Sequence, residues 1–223
     1  ETPTLNELSA NPSGAAGFNP DLSPSRAYNL EGGWRFIQPE NTFEATLYAI
    51  NTKDEILPYE LEDFPDRDFY RNAGNTSRMG IELFWEHQKG PWEWTVAYHY
   101  ASIKFDDYVL KDKNLSGNFL PGIPQQQINT SVQFDFSQGW GSALQTQYTG
   151  SLYADDANQT QVADYFLANL RIWKSFDNLS FFGGVNNLLD RAYFDNIRIN
   201  AYGKRYYEPA PMRNLYLGMN LNF

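Results

Sequence analysis

The chain of 223 residues contains no cysteine, which excludes disulfides, thiolate metal centres and thiol nucleophiles. Histidine is almost as scarce, with only His87 and His99. His87 sits beside a short turn and His99 stands alone on the polar face of its segment; neither has a serine or cysteine partner at a recognisable spacing, so a hydrolytic triad is not expected. Cations are outnumbered, 17 Lys and Arg against 27 Asp and Glu, for a net charge of −10. A surface so acidic does not attract nucleic acid. No segment approaches the ~18 apolar residues of a transmembrane helix. The opening Glu1-Thr2-Pro3-Thr4-Leu5 is not a secretory leader, and upstream sequence is expected before it.

Aromatic residues are plentiful: 15 Tyr, 16 Phe and 6 Trp, 17% of the chain. Yet the mean hydropathy is −0.57. A soluble protein so rich in rings needs a large core, and no long apolar run is present to build one. Strands with one lipid-facing and one water-facing side reconcile the two facts.

Period-two alternation supports that reading. Leu215, Leu217, Met219, Leu221 and Phe223 share one face of the last segment; Asn214, Tyr216, Gly218, Asn220 and Asn222 share the other. Tyr28, Leu30, Trp34 and Phe36 oppose Asn29, Glu31 and Arg35 in the same way. Similar patterns run through 43–49, 79–86, 92–100 and 128–136, with weaker ones near 140–150, 165–176 and 179–187. The expected count is nine antiparallel strands. Short polar links near Gln38–Asn41, Gln88–Pro91, Ser137–Gly139 and Asp177–Asn178 take turns with long ones near 54–70, 103–125, 151–163 and 189–212. Transmembrane barrels sort their connections this way, tight on the periplasmic side and long outside. All six tryptophans lie close to the short links, as an aromatic girdle requires, although parity puts Trp173 on the polar face.

Several segments together resemble the TonB-dependent outer-membrane receptors. Asn186-Asn187-Leu188-Leu189-Asp190-Arg191-Ala192-Tyr193, then Pro211-Met212-Arg213 and a final strand ending in Phe223, match the family's C-terminal pattern. Asn19-Pro20-Asp21-Leu22-Ser23-Pro24, Asn72-Ala73-Gly74 and Gly80-Ile81-Glu82 are similar to upstream family segments. Ser25 stands where the family usually has Glu. The resemblance implies that 1–223 is the C-terminal portion of a larger, 22-stranded barrel whose plug domain and TonB box lie elsewhere. Nine strands with two open edges fit that expectation, because lipid tolerates no unpaired backbone.

The resemblance further implies TonB-dependent uptake of a scarce metal chelate, most simply a ferric siderophore, with no enzymatic step and no bound cofactor. Energy comes from the TonB–ExbB–ExbD complex. Haem is disfavoured because residues 1–18 lack histidine. Candidate ligand contacts on the outward links are Tyr59, Phe64, Arg67, Tyr70 and Tyr153, which offer rings, with Arg198, Lys204 and Arg205 for an anionic chelate. The link Asp54–Arg71 carries seven acids against two arginines, net −5; a solvated acidic face meeting lipopolysaccharide is the plainer reading of it. Glu31, Arg35, Glu44, Glu82, Glu93, Asp135 and Arg171 fall on the lumen parity, where a plug and water satisfy them. Leu215, Leu217, Met219, Leu221 and Phe223 form the terminal signal read by the barrel-assembly machinery. Two rivals share part of the pattern: a passive porin or structural barrel, and a soluble carbohydrate-binding β-sandwich.

Overall fold

In the computed structural model the described residues are all but 15, 16, 111, 205, 206 and 223, with the side chains of 65, 66 and 204 also outside the description. Nine strands form one antiparallel sheet in simple sequence order. They are β1 (Arg26–Gln38), β2 (Asn41–Leu61), β3 (Phe64–Lys89), β4 (Trp92–Asp107), β5 (Gln126–Asp135), β6 (Trp140–Thr149), β7 (Tyr165–Ser175), β8 (Leu179–Asn186) and β9 (Asn214–Leu221). β1 and β9 are the two ends of the sheet, which does not close on itself. No helix among the described residues is long and apolar enough to cross a membrane. A five-residue helix, α1 (Leu5–Ser9), carries a capping box: Thr4 accepts from the Glu7 amide and Glu7 from the Thr4 amide.

The register shows why the alternation matters. Residues directly opposed on adjacent strands share a face. One row joins Trp34, Ala45, Leu83, Tyr98, Ile128, Tyr148 and Phe166 across seven strands. A second joins Val132, Leu144, Leu170, Val185 and Leu215. The opposite face reads Thr42, Glu86, Thr95, Ser131, Gln145 and Asn169. The apolar face is open to its surroundings; Leu215, Leu217 and Met219 are 77%, 91% and 68% exposed. Among the described residues no second layer packs against it, as a β-sandwich would require. A sheet with one bare hydrocarbon face suits lipid.

The girdle is present. Trp34, Trp85, Trp92, Trp94 and Trp140 lie on the apolar face at the short-turn end, linked by ring contacts such as Trp92–Phe134 at 4.3 Å and Phe43–Trp85 at 6.1 Å. Trp173 does sit on the polar face, opposite Gly141. A Cβ at Gly141 would lie 2.3 Å from the indole, so glycine makes room for the misplaced ring. Tyr48 over Gly80, Tyr216 over Gly184 and Phe182 over Gly218 repeat the arrangement.

Two expectations are corrected. Residues 54–70 are not a loop: β2 and β3 run on as a paired hairpin to a turn at Glu62-Asp63. Their apolar members, Leu57, Phe69 and Ala73, find partners that their charged neighbours concealed. Asp54, in the left-handed region at φ 56°, shifts the alternation by one. Thr52 and Glu55, three apart, therefore both reach Arg78, at 2.8 and 2.7 Å. Nor is His99 alone on its face. Its Nε2 lies 2.9 Å from the Tyr48 hydroxyl, and the rings stack at 6.2 Å.

Candidate functional site

The connections at the end opposite the girdle gather into a cap, and the cap holds the best-buried apolar cluster of the described chain. Leu57 and Ala73 from the β2–β3 hairpin meet Phe105, Tyr108, Leu115 and Leu120 from the β4–β5 link. Small two-residue ladders stiffen the links: Val109–Leu110 with Lys113–Asn114, and Leu152–Tyr153 with Gln161–Val162. Phe194–Ile197 pairs with Tyr207–Pro209 in the last link. A long outward link needs such internal structure if its side chains are to hold a fixed geometry.

Asp156 lies at the centre of this cap and is 2% exposed. Its Oδ2 accepts from Arg71 at 3.0 Å and from the Tyr108 hydroxyl at 3.1 Å. Its Oδ1 accepts from Asn200 Nδ2 at 2.9 Å, and its own amide donates to Asn200 Oδ1 at 2.9 Å. Asn118 donates to its carbonyl at 2.9 Å. One residue thus ties together the hairpin and all three other outward links. A buried carboxylate is tolerable only with such a set of donors. The Arg71 guanidinium also lies 4.5 Å from the centre of the Tyr59 ring.

The last link folds back onto the hairpin. Asn200 donates to the Pro58 carbonyl at 3.1 Å, the Tyr202 amide to Glu60 at 3.0 Å, and the Tyr202 hydroxyl to Glu62 at 2.7 Å. Arg198 approaches Glu60 at 3.4 Å. Between the two lies a recess of about 360 Å³ lined by Pro58, Asp68, Asn196, Ile197, Arg198, Ile199 and Glu208.

Burial raises the Tyr108 phenol far above its usual range; the Asp156 charge adds to this and the Arg71 charge opposes it. Tyr59 and Tyr70 are also raised, first by burial. Tyr202 is raised by its hydrogen bond to Glu62. These phenols are neutral at physiological pH, so they stack and donate rather than present phenolate.

The candidate ligand residues are brought together only in part. Tyr59 and Phe64 both contact Phe69, at 6.1 and 5.8 Å, and Arg67 lies 5.1 Å from its ring centre. Tyr153 stacks instead on Phe119 at 6.1 Å, in another link. Tyr59 and Arg198 are occupied inside the cap by Arg71 and Glu60. Arg205, Phe223 and the Lys204 side chain lie outside the described residues. Sequence reasoning missed Phe69, Arg71, Tyr108, Asp156 and Asn200, since nothing in local spacing marks residues that meet over separations as long as 85.

On the polar face, Arg35 pairs with Glu44 at 2.8 Å and Arg171 lies 4.6 Å from the Phe182 ring centre. Asp135 accepts from Gln133 at 3.2 Å. Glu31, Glu82 and Glu93 have no ion-pair partner among the described residues. Among those residues no group of three His, Cys, Asp or Glu is placed to hold a metal ion.

Comparison with known proteins adds an independent line. Residues 1–188 match the family described as TonB dependent receptor-like, beta-barrel. The chain is 25% identical over 221 residues to the vitamin B12 transporter BtuB of Photobacterium profundum, covering 94% of this chain and 33% of that protein. It is 27% identical over 182 residues to the ferrioxamine receptor of Yersinia enterocolitica, covering 77% and 24%. Among solved structures, the copper transporter OprC superposes with TM-score 0.77 at 18% identity, over all of this chain and 35% of that one. The ferric-catecholate import receptor Fiu of Escherichia coli K12, in its closed form, gives 0.70 at 19%, over all of this chain and 30% of that one. The chain therefore spans about a third or less of the curated relatives it matches.

Proposed function

Because the chain belongs to the TonB-dependent receptor β-barrel family of the Gram-negative outer membrane, we propose that it forms the C-terminal wall and outer cap of a receptor that imports a scarce metal chelate, most simply a ferric siderophore. The observation that carries this is a sheet with one lipid face and one polar face, topped by outward links locked into a single cap. In this reading a plug and a TonB box belong to a part of the protein outside 1–223, and the remaining strands close the barrel against the edges of β1 and β9. The TonB–ExbB–ExbD complex supplies the energy, and the ligand crosses without covalent change, so the protein is not an enzyme.

Glu31, Arg35, Glu44, Glu82, Glu93, Asp135 and Arg171 then face the plug and lumen water. Phe64, Arg67, Tyr70 and Tyr153 contact the chelate, with Lys204 and Arg205 as charge partners. Tyr59 and Arg198 act mainly by holding the cap in shape. Leu215, Leu217, Met219, Leu221 and Phe223 meet the barrel-assembly machinery, and the acidic outer face meets lipopolysaccharide.

The test is growth of a strain lacking the complete gene on a panel of single iron and cobalamin sources, with and without TonB. Loss of growth on one chelate, reproduced by loss of TonB and restored by the gene, is expected. Growth unchanged on every source, together with small-solute leakage through the purified protein in bilayers, would overturn the proposal in favour of a porin.

A further inference from the structure

The apolar face carries few charges, and one of them stands within the girdle. Lys174 opposes Trp140 on β6 and Phe181 on β8, so register places it on the lipid side. Its ammonium donates to the Gln138 carbonyl in the β5–β6 turn and lies 5.4 Å from the Trp140 ring centre and 5.2 Å from that of Phe176. No carboxylate among the described residues pairs with it. The side chain thus reaches toward the water boundary, as lysines on lipid-facing surfaces do. One donor is spent on the carbonyl, and two remain at headgroup depth.

Directly above it β7, β8 and β9 leave a groove of about 640 Å³ whose walls are almost wholly apolar. Ile172, Phe181, Val185, Leu215 and Leu217 form its sides, and a δ-methyl of Leu217 lies over Gly183, 2.6 Å from where a Cβ would stand. Both neighbours of β7 are present in the chain, so the strands flanking Lys174 are set within it, while the far wall of the groove belongs to β9, the end of the sheet.

We propose that this is a binding site for one glycerophospholipid of the periplasmic leaflet. An acyl chain lies in the groove between Ile172, Phe181 and Val185, and the headgroup phosphate takes the free donors of Lys174 beside Trp140. The charge selects the occupant: a cation in an aromatic belt, with no anion among the described residues to neutralise it, complements a phosphodiester. The short-turn end on which it sits faces the phospholipid leaflet, not the lipopolysaccharide leaflet. The inference is independent of which nutrient the receptor carries.

The experiment is native mass spectrometry of the full-length receptor, purified from outer membranes in mild detergent and titrated with phosphatidylglycerol or phosphatidylethanolamine. Parent protein is expected to keep one phospholipid per receptor. Lys174→Glu should lower that occupancy about fivefold, as loss of one lysine–headgroup contact does, while Lys174→Arg retains it. Val185→Trp, which fills the groove and keeps the cation, should also lower it. Heat-modifiable migration on gels shows that each variant is folded. Equal occupancy in the parent and Lys174→Glu would overturn the proposal. So would retention of lipopolysaccharide alone, or a broad spread of lipid counts with no preferred stoichiometry.

Discussion

Replacing Asp156 by asparagine keeps the shape of the cap and removes the charge at its centre. The carboxylate accepts from Arg71 and Tyr108 through one oxygen and from Asn200 through the other. An amide has one acceptor oxygen. Whichever way it is turned, its NH2 confronts at least one of these donors. Breaking a buried ion pair by removing one partner costs about 3–5 kcal/mol. The Asp156 side chain is 3% exposed but that of Arg71 is 24% exposed, so water relieves part of the loss. The lower end, about 3 kcal/mol, is expected. Of these partners only Arg71 belongs to the sheet, in the part of β3 that rises into the cap, so the cost falls mainly on opening of the cap rather than on the barrel. Hydrogen exchange reads it directly through amides that the cap protects: Gly122, bonded to the Tyr153 carbonyl at 2.7 Å, and Asn200, bonded to the Ala154 carbonyl at 3.0 Å. Their exchange should accelerate on the order of a hundredfold, the equivalent of about 3 kcal/mol, with strand amides unchanged. Acceleration below about twofold would refute the reasoning, since that is under 0.5 kcal/mol. It would mean that the links hold together without their central carboxylate.

Other expectations follow from the same geometry. The Tyr108 phenol is raised in the folded state, so its contribution is fully present below the free value of 10.0 and is lost as pH climbs above it. Cap protection should therefore weaken from about pH 10 upward, and Tyr108→Phe, weaker at neutral pH, should show less of this alkaline loss in the same exchange measurement. Gly74→Ala places a Cβ 1.7 Å from the Asp107 carbonyl oxygen, a backbone atom that cannot turn aside. A loss of about 3 kcal/mol or failure to assemble is expected, read from denaturant titration of heat-modifiable protein. Met79→Lys puts a charge on the lipid face six residues beyond the girdle Trp85 and should cost about 2–4 kcal/mol of folding in vesicles. Gln145→Lys, on the lumen face, should cost little, and equal costs would argue against the two-faced sheet.

How much of this was legible beforehand depends on the range of the interaction. Alternation is a local property, because successive side chains of a strand must point to opposite faces. Leu215 to Leu221, or Trp92 to Tyr100, therefore disclose their lipid side without reference to the rest of the chain. The short links were equally readable, since a tight turn needs residues such as Gly90, at φ 56°, or Gly139, at φ 78°, that accept the left-handed region. The cap was not readable. In 54–70 the acids dominate, and alternation slips at Asp54, so the segment has the signature of a loop while forming a hairpin.

The chain's own order of residues determined the nine strands, their two faces, the girdle and the family. These depend on periodicity and composition, which bilayer and backbone geometry impose strand by strand. Tertiary structure alone decided that Asp156 gathers Arg71, Tyr108 and Asn200, that Tyr59 and Arg198 are committed inside the cap, and that Lys174 stands beneath an apolar groove. Such contacts join residues far apart in sequence, and only the packing of the links and the pairing of the strands determine which of them meet.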